Sequence, residues 1–181
     1  MRDIEFLSRY IFHIYNRSND RNTLFHEDEN YQFFVAKMLR QLRGACHILA
    51  YCVMPNHFHI MLIPKHTLRD NFTLDEEYHD VMPTPELSEA IKRLLMGFTK
   101  SYNGLYGLTG SRFQQHTKCK YHSGGLKEGM NYVHFNPSEA GLVNHPSEWQ
   151  FSSFNEYDLN WPAHQCHCDV ELGRALLMLH P

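Results

Sequence analysis

Two histidines one residue apart, His57 and His59, lie inside the otherwise apolar run YCVMPNHFHIML, residues 51–62. Residues i and i+2 of a strand point to the same face, so both imidazoles look the same way. Neutral imidazole is a good ligand for divalent metals, and two on one rigid strand form a pre-organised half-site. Half-buried strand histidines hydrogen-bonded to their neighbours have the same spacing, so the pair alone leaves both readings open. The sequence NYVHFNP, residues 131–137, offers a third ligand and a nucleophile. Tyr132 and Asn136 are four apart and share one face of a helix. An amide oxygen is a hard donor, so His57, His59 and Asn136 together suit Mg²⁺ or Mn²⁺ better than a soft-ligand metal. Tyr132 then lies one turn from the ion. A phenol, with an ordinary pKa of about 10, is a poor nucleophile until deprotonated, and it becomes useful where a metal neutralises and orients a phosphate. A phosphodiester transesterification needs this set. Taken alone, Tyr132 reads first as a packed helix tyrosine, and His134, two residues on, as a surface or packed histidine.

A sheet and a helix must carry these groups, and the hydrophobic periodicity predicts both. Residues 9–16, RYIFHIYN, alternate and read as a first strand, and DENYQFFVAKMLRQLR, about 28–43, places Tyr31, Phe34, Val35, Met38 and Leu42 at helical spacing. CHILAYCV and HFHIMLI follow as two strands of a hairpin joined through Met54-Pro55-Asn56, which sets His57 at the start of the second. A helix restarts near Pro85 and runs to about Asn103, with Leu87, Ala90, Ile91, Leu94, Leu95 and Phe98 on one face. RFQQHTKCKYHSGG has room for a short strand, and residues 126–142 read as helix with a break near Pro137. Asn136 then caps a second short helix whose third position is Glu139. This order predicts an α+β sandwich, one antiparallel sheet with helices packed on one face.

With 181 residues, 43% hydrophobic and 20% charged, the chain is long enough for one core and short for two. A single domain is expected over 1–181, with a core at about 8–145, an acidic insertion at about 66–85 and a C-terminal tail at about 146–181. No apolar run approaches the roughly 20 residues of a membrane span, and MRDIEFLSRY lacks a signal-peptide core, so a cytoplasmic protein without membrane contact is expected. Five cysteines without CxxC spacing imply ordinary thiols, and the HQCHC stretch lacks the partner pair of a usual zinc site. Trp149, Phe151 and Phe154 most simply anchor the tail to the core. The net charge of −3 conceals segregation by segment. Residues 91–127 hold Lys92, Arg93, Lys100, Arg112, Lys118, Lys120 and Lys127 with no acid, interleaved with Phe98, Tyr102, Tyr106, Phe113 and Tyr121. Cations hold phosphates and rings stack on unpaired bases, so Arg112, Lys118, Lys120 and Lys127 are candidate DNA contacts, with a solvated surface patch as the plain alternative. The acidic residues of 66–85 would repel phosphate and are expected to face away.

NHFHIM, NYVHFNPSEAGLV and PSEWQFSSFNEY, with IYNRSNDRNTLF and DENYQFF before them, resemble the single-tyrosine, His-hydrophobic-His single-strand transposases, particularly the REP-associated tyrosine transposase branch. The likeness covers most of the chain. It implies a ferredoxin-like, or RRM-like, core and divalent-metal-dependent cleavage and rejoining of single-stranded DNA next to a hairpin through a 5′-phosphotyrosine. By matching positions it makes His57, His59 and Asn136 the metal ligands, for Mg²⁺ or Mn²⁺, and Tyr132 the nucleophile. The implied partner is single-stranded or hairpin DNA, the protein itself a monomer or a homodimer. A domesticated or inactive hairpin-DNA or RNA-binding protein of the same fold is the alternative.

Overall fold

The computed structural model describes residues 10–70, 74, 81–122, 126–158 and 161–179. Strand β1 (Phe12–Arg17) leads to helix α1 (Asp28–Leu42), then to the hairpin of β2 (Cys46–Met54) and β3 (His57–Pro64). Helix α2 (Pro85–Tyr106), β4 (Lys118–Tyr121), α3 (Leu126–Glu139) and α4 (Val170–Leu179) follow. The four strands form one antiparallel sheet in the order β2-β3-β1-β4, the ferredoxin-like arrangement in which two β-α-β units interleave. Met54 pairs with His57, so Pro55 and Asn56 alone make the hairpin turn. Thr84 caps α2 by accepting from the Leu87 N–H, Pro85 opens its first turn, and Gly107 ends it at φ +63°. No helix among the described residues is long and apolar enough to cross a membrane.

One sheet face packs Phe12, Ile14, Phe58, Ile60 and Leu62 against Phe34 and Met38 of α1 and Leu94 and Phe98 of α2. This is the expected sandwich. The other face is covered too, because Leu49, Cys52, Met61 and Ile63 are apolar and pack under Leu126, Met130 and Val133 of α3 and Leu176 of α4. The sandwich therefore has a third, partial layer, and α3 lies on the face that carries His57 and His59. The approach is close at Gly129, where a methyl group would collide with Met61 Cε and fall 3.0 Å from its Sδ.

Helix α3 runs unbroken through Pro137, which corrects the expected break. The proline comes in the last turn, where its missing N–H forgoes one bond, while the Ala140 N–H still reaches the Asn136 carbonyl at 2.9 Å. Asn136 is thus a helical residue, not the cap of a second helix. Of the acidic segment, residues 71–73 and 75–80 lie outside the described residues. Its two flanks meet, with the Arg69 N–H donating to the Pro83 carbonyl at 2.9 Å.

The tail closes the outer edge of β2. The Val53 N–H donates to the Phe151 carbonyl, the Ser153 N–H to the Tyr51 carbonyl and the Asp169 N–H to the Ile48 carbonyl, at 2.9, 3.0 and 2.8 Å. Phe151 stacks on Tyr31 with centroids 4.0 Å apart, and the Trp149 indole donates to the Val53 carbonyl at 3.0 Å, so these rings anchor the tail as expected. Glu156, buried, accepts the N–H groups of His167 and Cys168 at 2.8 Å each. The five thiols are free, and among the described residues no group of three His, Cys, Asp or Glu side chains gathers to hold a metal. His134 is buried, 2.9 Å from the Ser153 hydroxyl, and joins α3 to the tail.

Two outcomes follow from this packing. Gly129→Ala destabilises the protein by about 1–3 kcal/mol through overpacking in chemical denaturation, and combining it with Met61→Ala recovers part of that loss, a coupling that separate effects would not produce. Burial pushes His134 down to about 4. Its folded-state value lies below that of the unfolded chain, so its contribution is present above pH 6.5 and is lost as the pH falls toward 4. In His134→Asn, the slope of stability against pH between 6 and 4.5 is shallower by up to about 1.4 kcal/mol per pH unit; an unchanged slope would show that the group titrates normally.

Candidate active site

Alternation along three adjacent strands collects the polar groups on the face under α3. His13, Tyr15 and Arg17 project from β1, His57 and His59 from β3, and Lys118 and Lys120 from β4. Antiparallel register sets Tyr15 opposite both His59 and Lys118, and Arg17 opposite His57. From α3, Glu128, Tyr132 and Asn136 succeed one another at four-residue intervals and complete a pocket of about 620 Å³. Phe58 points to the opposite face, fully buried against Phe34 and Phe113.

The two predicted ligands are oriented before any ion arrives. His57 Nδ1 lies 2.6 Å from the Asn56 side-chain oxygen, which can only accept, so Nδ1 carries the proton and Nε2 the lone pair. Asn136 is hydrogen-bonded to the same imidazole. His59 Nδ1 lies 2.8 Å from His13 Nε2, and His59 Nε2 is buried with no hydrogen-bond partner among the described residues. When His59 donates across that bond, its Nε2 is left with a bare lone pair. Burial, with Arg17 adding to it, pushes His57 down to about 4 against the upward pull of Asn136, and it pushes His59 well below the ordinary value, helped by His13, His57 and Arg17. His13 falls to about 3 through burial, His122 and Lys120. All three imidazoles are therefore neutral near pH 7, the state in which they bind metal.

Two neutral imidazoles, one of them with an orphaned buried Nε2, and one amide suit a divalent cation. Tyr132 is half exposed, its ring edge-on to His59 at 5.5 Å and to His13 at 5.7 Å. His57, His59, Tyr132 and Asn136 thus meet in one cleft. Of the four candidate DNA contacts, Lys118 and Lys120 line it; Arg112 and Lys127 do not. Arg112 sits beyond the far end of β1, donating to the Thr109 carbonyl, and Lys127 is exposed on α3.

His13, Tyr15, Arg17, His122 and Glu128 also belong to the pocket without having been singled out in the sequence. The signal for the first three was present, since HIYNR alternates in the same phase as HFH. Which strand lay beside β3 was not readable from local pattern.

No protein-family model matches the chain, and no curated protein does. Among solved structures, the chain is similar to a REP-associated tyrosine transposase bound to a REP hairpin, at 21% identity and a TM-score of 0.58, over 90% of this chain and 87% of that one. At that identity the likeness shows a shared fold, the α+β sheet with its packed helices.

Proposed function

We propose that the protein is a metal-dependent single-strand DNA transposase or endonuclease that cleaves and rejoins DNA near hairpins through a 5′-phosphotyrosine. The observation that carries this reading is the seat of Tyr132, edge-on to His59 beside an unpartnered imidazole nitrogen, in a pocket rimmed by Arg17, Lys118 and Lys120. The structural likeness to a hairpin-bound tyrosine transposase supports it.

The chain's own groups have separable tasks. Lys118, Lys120 and Arg17 draw the phosphodiester into the pocket and offset its charge. His57, His59 and Asn136 are the residues that would hold Mg²⁺ or Mn²⁺. When bound, such an ion supplies Lewis-acid polarisation of a phosphoryl oxygen. The Tyr132 hydroxyl attacks phosphorus, a Tyr–O–P bond forms, the bond from phosphorus to the 3′ oxygen breaks, and the phenolic proton ends on the departing 3′-OH. Rejoining is the reverse, with an incoming 3′-OH displacing Tyr132. The ester keeps the bond energy of the cleaved linkage, so no nucleotide cofactor is needed. His13 orients His59 through the 2.8 Å contact.

A labelled hairpin with single-stranded flanks, incubated with the protein and Mn²⁺, forms an adduct that survives denaturation; EDTA and Tyr132→Phe each abolish it, and His57→Ala lowers its rate by on the order of 100-fold. An adduct of equal yield in Tyr132→Phe refutes the mechanism, and binding without any adduct in the wild type favours the non-catalytic binding protein. In calorimetry, His13→Ala weakens Mn²⁺ binding by about 10- to 100-fold and His13→Gln by less, as expected for a residue that orients a ligand. Unchanged affinity in His13→Ala removes that role.

A further inference from the structure

A second cavity, of about 640 Å³, lies between α2 and the loop of residues 110–117 that enters β4. Its walls are unlike those of the candidate active site. Ile91, Leu95, Met96 and Phe113 make an apolar floor, and Met96 is 61% exposed. Lys92 and Lys100, two turns apart on α2, stand along the same groove, and among the described residues no Asp or Glu lines it. Lys92 has an exposed carboxylate, Glu89, 3.8 Å away on its own helix, an arrangement that barely restrains it. Gln114 and His116 border both this groove and the catalytic pocket, so the two adjoin at the start of β4.

We propose that this groove carries the single-stranded DNA that continues out of the catalytic pocket. The inference rests on the proposed function and locates where that substrate's flank runs. An unpaired strand has two kinds of surface, a charged backbone and flat apolar base faces, and binding both at once needs cations beside an apolar floor. Polarisable Met96 accepts any base face, which suits sequence-tolerant contact. A duplex hides its base faces and presents phosphate to the exterior, so it gains from the lysines alone. Adjacency adds the geometric argument. A phosphodiester held over Lys118 and Lys120 has its neighbouring nucleotides at Gln114 and His116, and the groove begins there.

The test measures affinity by fluorescence anisotropy on the full chain, with hairpin probes whose single-stranded tail is about 4 or about 12 nucleotides, bracketing common single-strand site sizes. Lys92→Gln/Lys100→Gln changes two exposed side chains. It binds the long-tailed probe about tenfold more weakly and the short-tailed probe as the wild type does. For the long-tailed probe, the slope of log affinity against log salt becomes shallower by about 1.4, from about 0.7 for each phosphate contact on a single strand. Met96→Glu reproduces the selective loss. Equal losses on both probes, no loss on either, or a tail-less duplex that depends on the two lysines as strongly as the long-tailed probe overturns the proposal. Adduct formation is followed separately on the short-tailed probe. Its absence in the wild type counts against the phosphotyrosine reading and leaves the tail-length comparison intact, whereas a normal adduct with no tail-length effect sinks the groove alone.

Discussion

The phase of three adjacent strands governs everything on the site face. Side chains alternate with a period of two, so a one-residue slip of β3 against β1 would turn His57 and His59 toward the helices and bring Phe58 out under α3. Burial forbids that slip. Phe58 is fully buried, in contact with Phe34 of α1 and Phe113 of the loop before β4, and its burial contributes about 1.5–3 kcal/mol. The aromatic residue between the two histidines is thus the anchor that holds both of them in phase. Phe12 and Ile14 on β1 and Cys119 on β4 fix their strands in the same way, and the polar residues between them have only one direction left.

A sheet covered on one face can leave the other to water. Here the second face is apolar toward β2 and polar toward β4, so α3 seats over the apolar half and overhangs the polar half. Gly129 lets the helix settle on Met61, and Tyr132 and Asn136, one and two turns further, then reach across to the imidazoles. The tail reinforces this asymmetry. It hydrogen-bonds along the outer edge of β2, whereas the pocket opens on the β4 side.

Local pattern carried much of this and stopped at identifiable points. The α1 and α2 faces, a short hairpin connection at Pro55 and the shared face of His57 and His59 all follow from periodicity and turn chemistry within one segment. Placing Tyr132 and Asn136 beside those histidines needed more than periodicity, and the family resemblance supplied it. His13 escaped notice because its importance comes from a neighbour 46 residues away, fixed by strand order. The break at Pro137 was expected from the intrinsic preference of the residue before proline, which packing of Val133 and His134 overrides in the last turn. Arg112 and Lys127 were grouped with Lys118 and Lys120 by charge along the chain, but only the latter two alternate on a strand facing the cleft.

On the proposed reading, the donor set of the cleft has a consequence for how a metal and a phosphate would bind there. His57, His59 and Asn136 are neutral, and Arg17, Lys118 and Lys120 stand around them, with Glu128 as the one carboxylate lining the pocket among the described residues. Neutral donors compensate little of a dication's charge, and nearby cations repel it, so the three ligands alone hold an ion weakly. A phosphodiester changes the balance by placing anionic oxygen next to the ligand nitrogens, attracted already by the basic residues. The ion favours the phosphate and the phosphate favours the ion by the same free energy, since coupling between two binding events is reciprocal. On the proposed reading, the cleft assembles its full charge complement when DNA enters, because its neutral ligands bring no charge of their own to the ion.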